Sequence, residues 1–197
     1  MMNQTKKNII LLMILLLIGL IAGITYWVWV KSIALPIKGE LPPMELESVS
    51  GEKVRLGDGK IRLISFVEGS CAENCHHQFE QLKRIQERLK EYGSFGDAVE
   101  MMSVAQQSSS AVVLLEQLRE RYGMDPKGWY MLAATDSELE TIVGQLKDGS
   151  DTEGAVYLID ATGRIRQSYD LNKGTFIEEV LDDITQLIRL QQQSLDQ

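Results

Sequence analysis

The chain has little cysteine, little histidine and a shortage of positive charge, and each shortage excludes something. Two cysteines in 197 residues cannot staple a domain of this size, so a small disulfide-framed scaffold is excluded. The only histidines are His76 and His77, which rules out a metal centre built from several distant imidazoles. After residue 31 the chain holds 17 basic against 28 acidic residues, a net of −11. That excludes nucleic acid and anionic lipid as partners of the outer part. The prolines are few as well, and three of the four (Pro36, Pro42, Pro43) crowd one short stretch. There is no internal repeat.

What is present begins with an uncharged run of 22 residues, Ile9 to Val30. As a helix it measures roughly 33 Å, against a hydrocarbon core of about 30 Å. It has no polar face, which excludes a buried core helix. Lys6 and Lys7 precede it without a neighbouring acid, so the N-terminus is expected in the cytoplasm and the rest outside the cell membrane. Tyr26, Trp27 and Trp29 fall near its far end, where amphipathic rings favour the interface. Ser32-Ile33-Ala34 offers small residues to a signal peptidase. The run exceeds the roughly 7–15 residues of a signal core, so an uncleaved single-pass anchor is expected. No cysteine follows the run, which excludes a lipid anchor. The expected organisation is a cytoplasmic stub and anchor over 1–31, a stalk over 32–43, a domain over 44–191 and a frayed tail over 192–197.

The domain alternates strand and helix signals. Met44–Leu56 reads as a hairpin about Ser50-Gly51, and Ile61–Val67 as a buried strand. Asn74–Tyr92 has the helical period, with Cys75, Phe79, Leu82, Ile85 and Leu89 on one face. Ala98–Val104 is a second strand. Ser108–Ser110 caps a helix that Gly123 ends. A short strand spans Gly128–Leu132, and a helix capped at Thr135 or Asp136 runs to Leu146. A hairpin pairs Ala155–Ile159 with Arg164–Ser168, and a last amphipathic helix begins at Thr175. This is an α/β domain with a central sheet.

The chemistry-bearing motif is Cys71-Ala-Glu-Asn-Cys75, set between the Ile61–Val67 strand and the following helix. One helical turn apart, the two thiols share a direction, with Cα atoms about 6 Å apart, within disulfide reach. The same spacing suits two thiolates on one soft ion such as Cu(I). The competing reading is two inert cysteines packed as small apolar groups. Both cysteines of the chain lying at one strand–helix junction favours chemistry. About the buried centre at Leu82, His76 lies about 120° away and His77 about 140° the other way. His77 is therefore expected in solvent, and His76 as a metal ligand only if the first turn is irregular. Glu68, Glu153 and Met102 are further groups that could approach the thiols.

The strand–Cys-x-x-x-Cys–helix unit resembles the Sco/SenC family. So do Leu41-Pro42, the Val99–Val104 strand, Gly128-Trp129-Tyr-Met-Leu132, Ala155–Asp160 and Gly163-Arg164, taken in order. The likeness runs from about Gly39 to Leu190. It implies a thioredoxin-like fold with a membrane tether and a role in assembling the CuA copper site of cytochrome c oxidase. It further implies copper on Cys71 and Cys75, as Cu(I) rather than Cu(II), and an oxidase subunit or other copper-site protein as partner, with His76 a candidate further metal ligand on the reading of the residues alone. The family's third ligand is a histidine before the late strand, where this chain has Thr152. A proline usual after the second cysteine is His76 here. Ordinary thioredoxin-like reductases use Cys-x-x-Cys and a cis-proline before the late strand, and no proline follows Pro126 here. A dithiol oxidoreductase, attacking through Cys71, and a partner-binding module without metal remain the alternatives; either way a metal carrier is expected before an enzyme.

Overall fold

The computed structural model describes residues 4–33, 35–67, 73–146 and 154–195. The chain divides into two compact units, Met1–Leu35 and Pro36–Gln197. The first is helix α1 (Gln4–Ile33), which lies where the apolar run predicts it. Its consecutive side chains Leu12, Met13, Ile14, Leu15 and Leu16 are all exposed. Thr25 turns its hydroxyl onto the carbonyls of Ile21 and Ala22, which removes its polarity from the helix surface. Among the described residues no helix is long and apolar enough to cross a membrane.

The second unit is built on an eight-stranded sheet. Its strands are β1 (Gly39–Glu40), β2 (Glu45–Ser48), β3 (Lys53–Arg55), β4 (Ile61–Val67), β5 (Val99–Gln106), β6 (Trp129–Ala134), β7 (Ala155–Ile159) and β8 (Arg164–Asp170). The order across the sheet is β1-β8-β7-β4-β5-β6-β2-β3. β4, β5 and β6 run parallel, and the remaining pairings are antiparallel. All seven residues of β4 are buried, as expected of a central strand covered on both faces.

Four helices cover the sheet: α2 (Glu73–Glu91), α3 (Ser109–Tyr122), α4 (Asp136–Leu146) and α5 (Phe176–Leu195). The alternation of β4 sends Ile64 and Phe66 to one side. There they join Met102, Val104, Leu132, Tyr157 and the α4 residues Ile142 and Leu146 in one core. On the other side α2 buries Phe79, Leu82, Ile85 and Leu89, the stripe read from the sequence. The expected caps are present. Ser108 Oγ accepts from the Ala111 N–H at 3.1 Å, and Gly123 closes α3 in the left-handed region at φ 59°. Thr135 and Glu138 form a reciprocal capping box at the start of α4.

One stretch departs from the sequence reading. Residues 32–43 were expected to be stalk, yet Gly39 and Glu40 pair with Ile165 and Arg164 as β1, and Leu41 is buried. The Leu41 N–H donates to Gly163 at 2.9 Å. A two-residue strand next to Pro42-Pro43 carries no periodic signal, because its pairing is supplied by β8.

Candidate dithiol site

The junction between β4 and α2 is where the sequence places its chemistry. Cys71 lies outside the described residues, as do Glu68, Thr152 and Glu153. Cys75 belongs to the first turn of α2. That turn is tied to the sheet by a buried side chain: Gln78 Nε2 donates to the Phe66 carbonyl near the end of β4, at 3.3 Å. Further along, Gln86 accepts from the Asp125 N–H at 2.8 Å and donates to the Gly123 carbonyl at 3.4 Å. Two glutamines thus moor α2, Gln78 to β4 and Gln86 to the loop after α3.

Between those moorings the contact is aromatic. Phe79, fully buried, stacks on Tyr122 at 5.6 Å and on Trp129 at 6.2 Å between ring centroids. Beneath it Trp129 Nε1 donates to Ser103 Oγ at 3.1 Å, and Ser103 and Ser65 share a hydrogen bond of 3.0 Å. Every polar group of this trio is thereby satisfied under an apolar helix.

The histidines separate as the wheel predicts. His77 is exposed, and His76 is half-buried against α3. His76 Nδ1 lies 2.6 Å from Tyr122 Oη, and Arg121 Nη1 lies 3.4 Å from Nε2. A guanidinium only donates, so Nε2 accepts, and in the neutral ring Nδ1 carries the proton and donates to Tyr122. Burial pushes the Tyr122 phenol up, against the opposing charge of Arg121. Met102 lies in the opposite core with Phe66 and Tyr157. Among the described residues no three His, Cys, Asp or Glu side chains gather as a metal cage.

Sequence reasoning missed Gln78, Gln86 and Tyr122. The glutamines left a signal, since both interrupt the apolar stripe of α2. Tyr122 left none, because its contact with His76 spans 46 residues. Also missed was a charged cleft of about 410 Å³ by the N-terminal ends of β4 and β5, lined among others by Lys60, Glu100 and Tyr130.

A mixed sheet with parallel central strands, flanked by helices, is a mixed α/β fold of the kind that thioredoxin-like domains have. The solved structures it resembles include Sco/SenC proteins, and the chain has their fold. It is similar to BsSco, a member of the Sco family of cytochrome c oxidase assembly proteins in which a disulfide switch is identified. That match has 19% identity and TM-score 0.62, over 76% of this chain and 94% of that one. A SCO1/SenC family lipoprotein of Bacillus anthracis matches at 19% identity and TM-score 0.62, over 78% and 97%. The ScoI protein of Bradyrhizobium japonicum with copper bound matches at 19% and 0.56, over 75% and 99%. No protein-family model matches the chain. No curated protein sequence matches it either.

Proposed function

We propose that this chain is a divergent, membrane-tethered Sco/SenC protein that carries copper on Cys71 and Cys75 toward a copper-site protein such as a cytochrome c oxidase subunit. The observation that carries this reading is the fold likeness to Sco proteins, one of them with copper bound, over nearly the whole of each. In the sequence, Cys71 and Cys75 form a Cys-x-x-x-Cys pair between the β4 run and the amphipathic run of α2. Two thiolates suit Cu(I), whereas Cu(II) generally wants an imidazole as well. Copper is here the cargo, and the protein's part is to hold it reversibly and hand it on. The uncharged run about α1 supports a single-pass anchor with the domain outside the cell.

A second reading is favoured by the disulfide switch of BsSco. In it the same two thiols work by thiol–disulfide exchange with the copper-site protein, one attacking and the other resolving the mixed disulfide. Anaerobic titration of the reduced full-length protein with Cu(I) separates the two. One tightly held Cu(I) per chain, lost in Cys71→Ser/Cys75→Ser, is the expected result. No tight binding, or binding unchanged in that variant, rejects copper carriage and leaves thiol exchange to be read from the pair's reduction potential.

A further inference from the structure

Strand β3 ends the sheet, and its outer edge is unpaired. The Leu56 N–H donates to the Met44 carbonyl at 2.9 Å, and the Ser48 N–H to the Glu52 carbonyl at 2.8 Å. Residues 52, 54 and 56 therefore turn their main-chain groups toward β2. By the antiparallel alternation, the N–H and C=O groups of Lys53 and Arg55 face away from the sheet, and they have no partner among the described residues. Such a row of donors and acceptors is a template for one more strand. Open space lies beside it: Lys53, Val54 and Arg55 line the charged cleft of about 410 Å³, together with Lys60, Glu100 and Tyr130.

The side chains say what kind of strand fits. Val54 is buried, while Lys53 and Arg55 are exposed on the other face. Across the β2–β3 pair base stands opposite acid, Arg55 opposite Glu45 and Lys53 opposite Glu47. Arg55 donates to Glu45 at 2.7 Å, whereas Lys53 makes no ion pair among the described residues. A second copy of β3 does not fit. In each antiparallel register that pairs two of these three-residue strands, a base of one copy is set directly against a base of the other. Like charges so placed are destabilising. A strand that fits repeats the rule of the hairpin and carries acids, two residues apart so that both fall on one face. The domain is acidic as a whole, but at physiological salt charges are screened beyond about 8 Å, so the directly opposite side chains decide.

We propose that the outer edge of β3 is a docking edge for an extended acidic segment of a partner protein, which adds a strand to the sheet with its carboxylates opposite Lys53 and Arg55. Main-chain bonds along the edge supply affinity and the two cations select for acids, as in other cases of strand addition. The edge lies by the starts of β4 and β5, away from the β4–α2 junction, and is independent of the copper reading.

The test uses the full-length protein and two peptides with blocked ends, Thr-Glu-Thr-Glu-Thr and Thr-Lys-Thr-Lys-Thr, followed by amide NMR. The acidic peptide at millimolar concentration should shift the Lys53 and Arg55 amides and slow their exchange. It should bind at least about fourfold tighter than the basic one, since two opposite-charge pairs stand in place of two like-charge pairs. Lys53→Glu should narrow or reverse that preference. Lys53→Pro should abolish binding by removing one outward donor, a change tolerated on an edge strand whose N–H faces solvent. The Ser48 and Leu56 amides, which join β2 to β3, report whether the hairpin is intact and should keep their protection in both variants. Where proline opens the hairpin, the charge preference of Lys53→Glu decides. The proposal is overturned by no shift at millimolar acidic peptide, by equal binding of the two peptides, or by a preference unchanged in Lys53→Glu. Binding that survives Lys53→Pro with the hairpin intact, or self-association of the protein through β3, overturns it as well.

Discussion

The two ends of the central sheet are built on different principles. Where β4 runs out into α2, the first turns of α2 are held mainly by neutral groups: Gln78 donates to the Phe66 carbonyl and the His76 imidazole meets the Tyr122 phenol, with the exposed Arg121 guanidinium beside it. Where β4 and β5 begin, the contacts are charges. Arg62 donates to Asp58 at 2.5 Å and to Glu100 at 3.0 Å, and Lys60 donates to Glu100 at 2.5 Å and to the Gly96 carbonyl at 2.9 Å. The Arg62 and Glu100 side chains are 2% and 4% exposed. Neutral bonds hold a helix start in place and each contributes little. Buried charges contribute little net stability when complete, but removing one partner is costly. The junction therefore tolerates local change, and the opposite end acts as the rigid foundation.

The largest effect comes from breaking that foundation. Glu100→Gln should cost about 3–5 kcal/mol in urea unfolding, because Arg62 is left buried with its charge poorly matched. Arg62 Nε and Nη1 already lack partners among the described residues, and Asp58 alone is left to match the buried charge. Arg62→Met/Glu100→Leu should cost much less than Glu100→Gln, since removing both charges also removes their desolvation penalty. Costs that simply add would show that the two side chains act independently.

A smaller effect is expected at the β7–β8 turn, which bears on the comparison because its carboxylate combines both kinds of contact. Asp160 accepts from the Thr162 hydroxyl at 2.7 Å, from the N–H groups of Thr162 and Arg164, and pairs with Arg164 and Arg166. Burial works to raise its carboxyl, but the hydrogen bonds from Thr162 and Arg164 and the Arg164 charge together hold it below the ordinary value. A lowered folded-state value stabilises the protein above the unfolded carboxylate value of about 3.9. That stability is lost as pH falls through the folded value. Asp160→Asn should therefore cost about 1–3 kcal/mol at neutral pH. The gap from wild type should narrow as the pH drops below the carboxylate range. A gap independent of pH would assign the turn to shape and not to charge.

What was legible in the sequence follows the same division. Helix caps, the buried β4 run and the α2 stripe are local patterns, and Ser108, Gly123, Thr135 and Phe79 do what their spacing says. The wheel angle also placed His77 in solvent. Contacts set by topology left no local trace: Tyr122 meets His76 across 46 residues, and Glu100 meets Arg62 across 38. β1 escaped for the same reason, since Gly39 and Glu40 are strand only because β8 lies beside them. Gln78 and Gln86 were legible as polar interruptions of an apolar stripe, a pattern that marks a buried side chain with a backbone partner.

The smallest effect tests the neutral end. Gln78 to the Phe66 carbonyl is a long bond at 3.3 Å between uncharged groups, so its loss in Gln78→Met should cost about 1 kcal/mol or less. Methionine fills nearly the same volume, which keeps a cavity from adding to that figure. The informative readout is local. If this bond fastens the first turn of α2 to β4, amide exchange should quicken at residues 75–79 while the middle of α2, held by Leu82 and Ile85, keeps its protection. Exchange that quickens along the whole of α2 would mean that the glutamine supports the packing of the entire helix. Exchange that changes nowhere would mean that the stack of Phe79 on Tyr122 and Trp129 holds the turn without it. Only the first outcome leaves the start of α2 as a turn that can loosen by itself, apart from the packed middle of the helix.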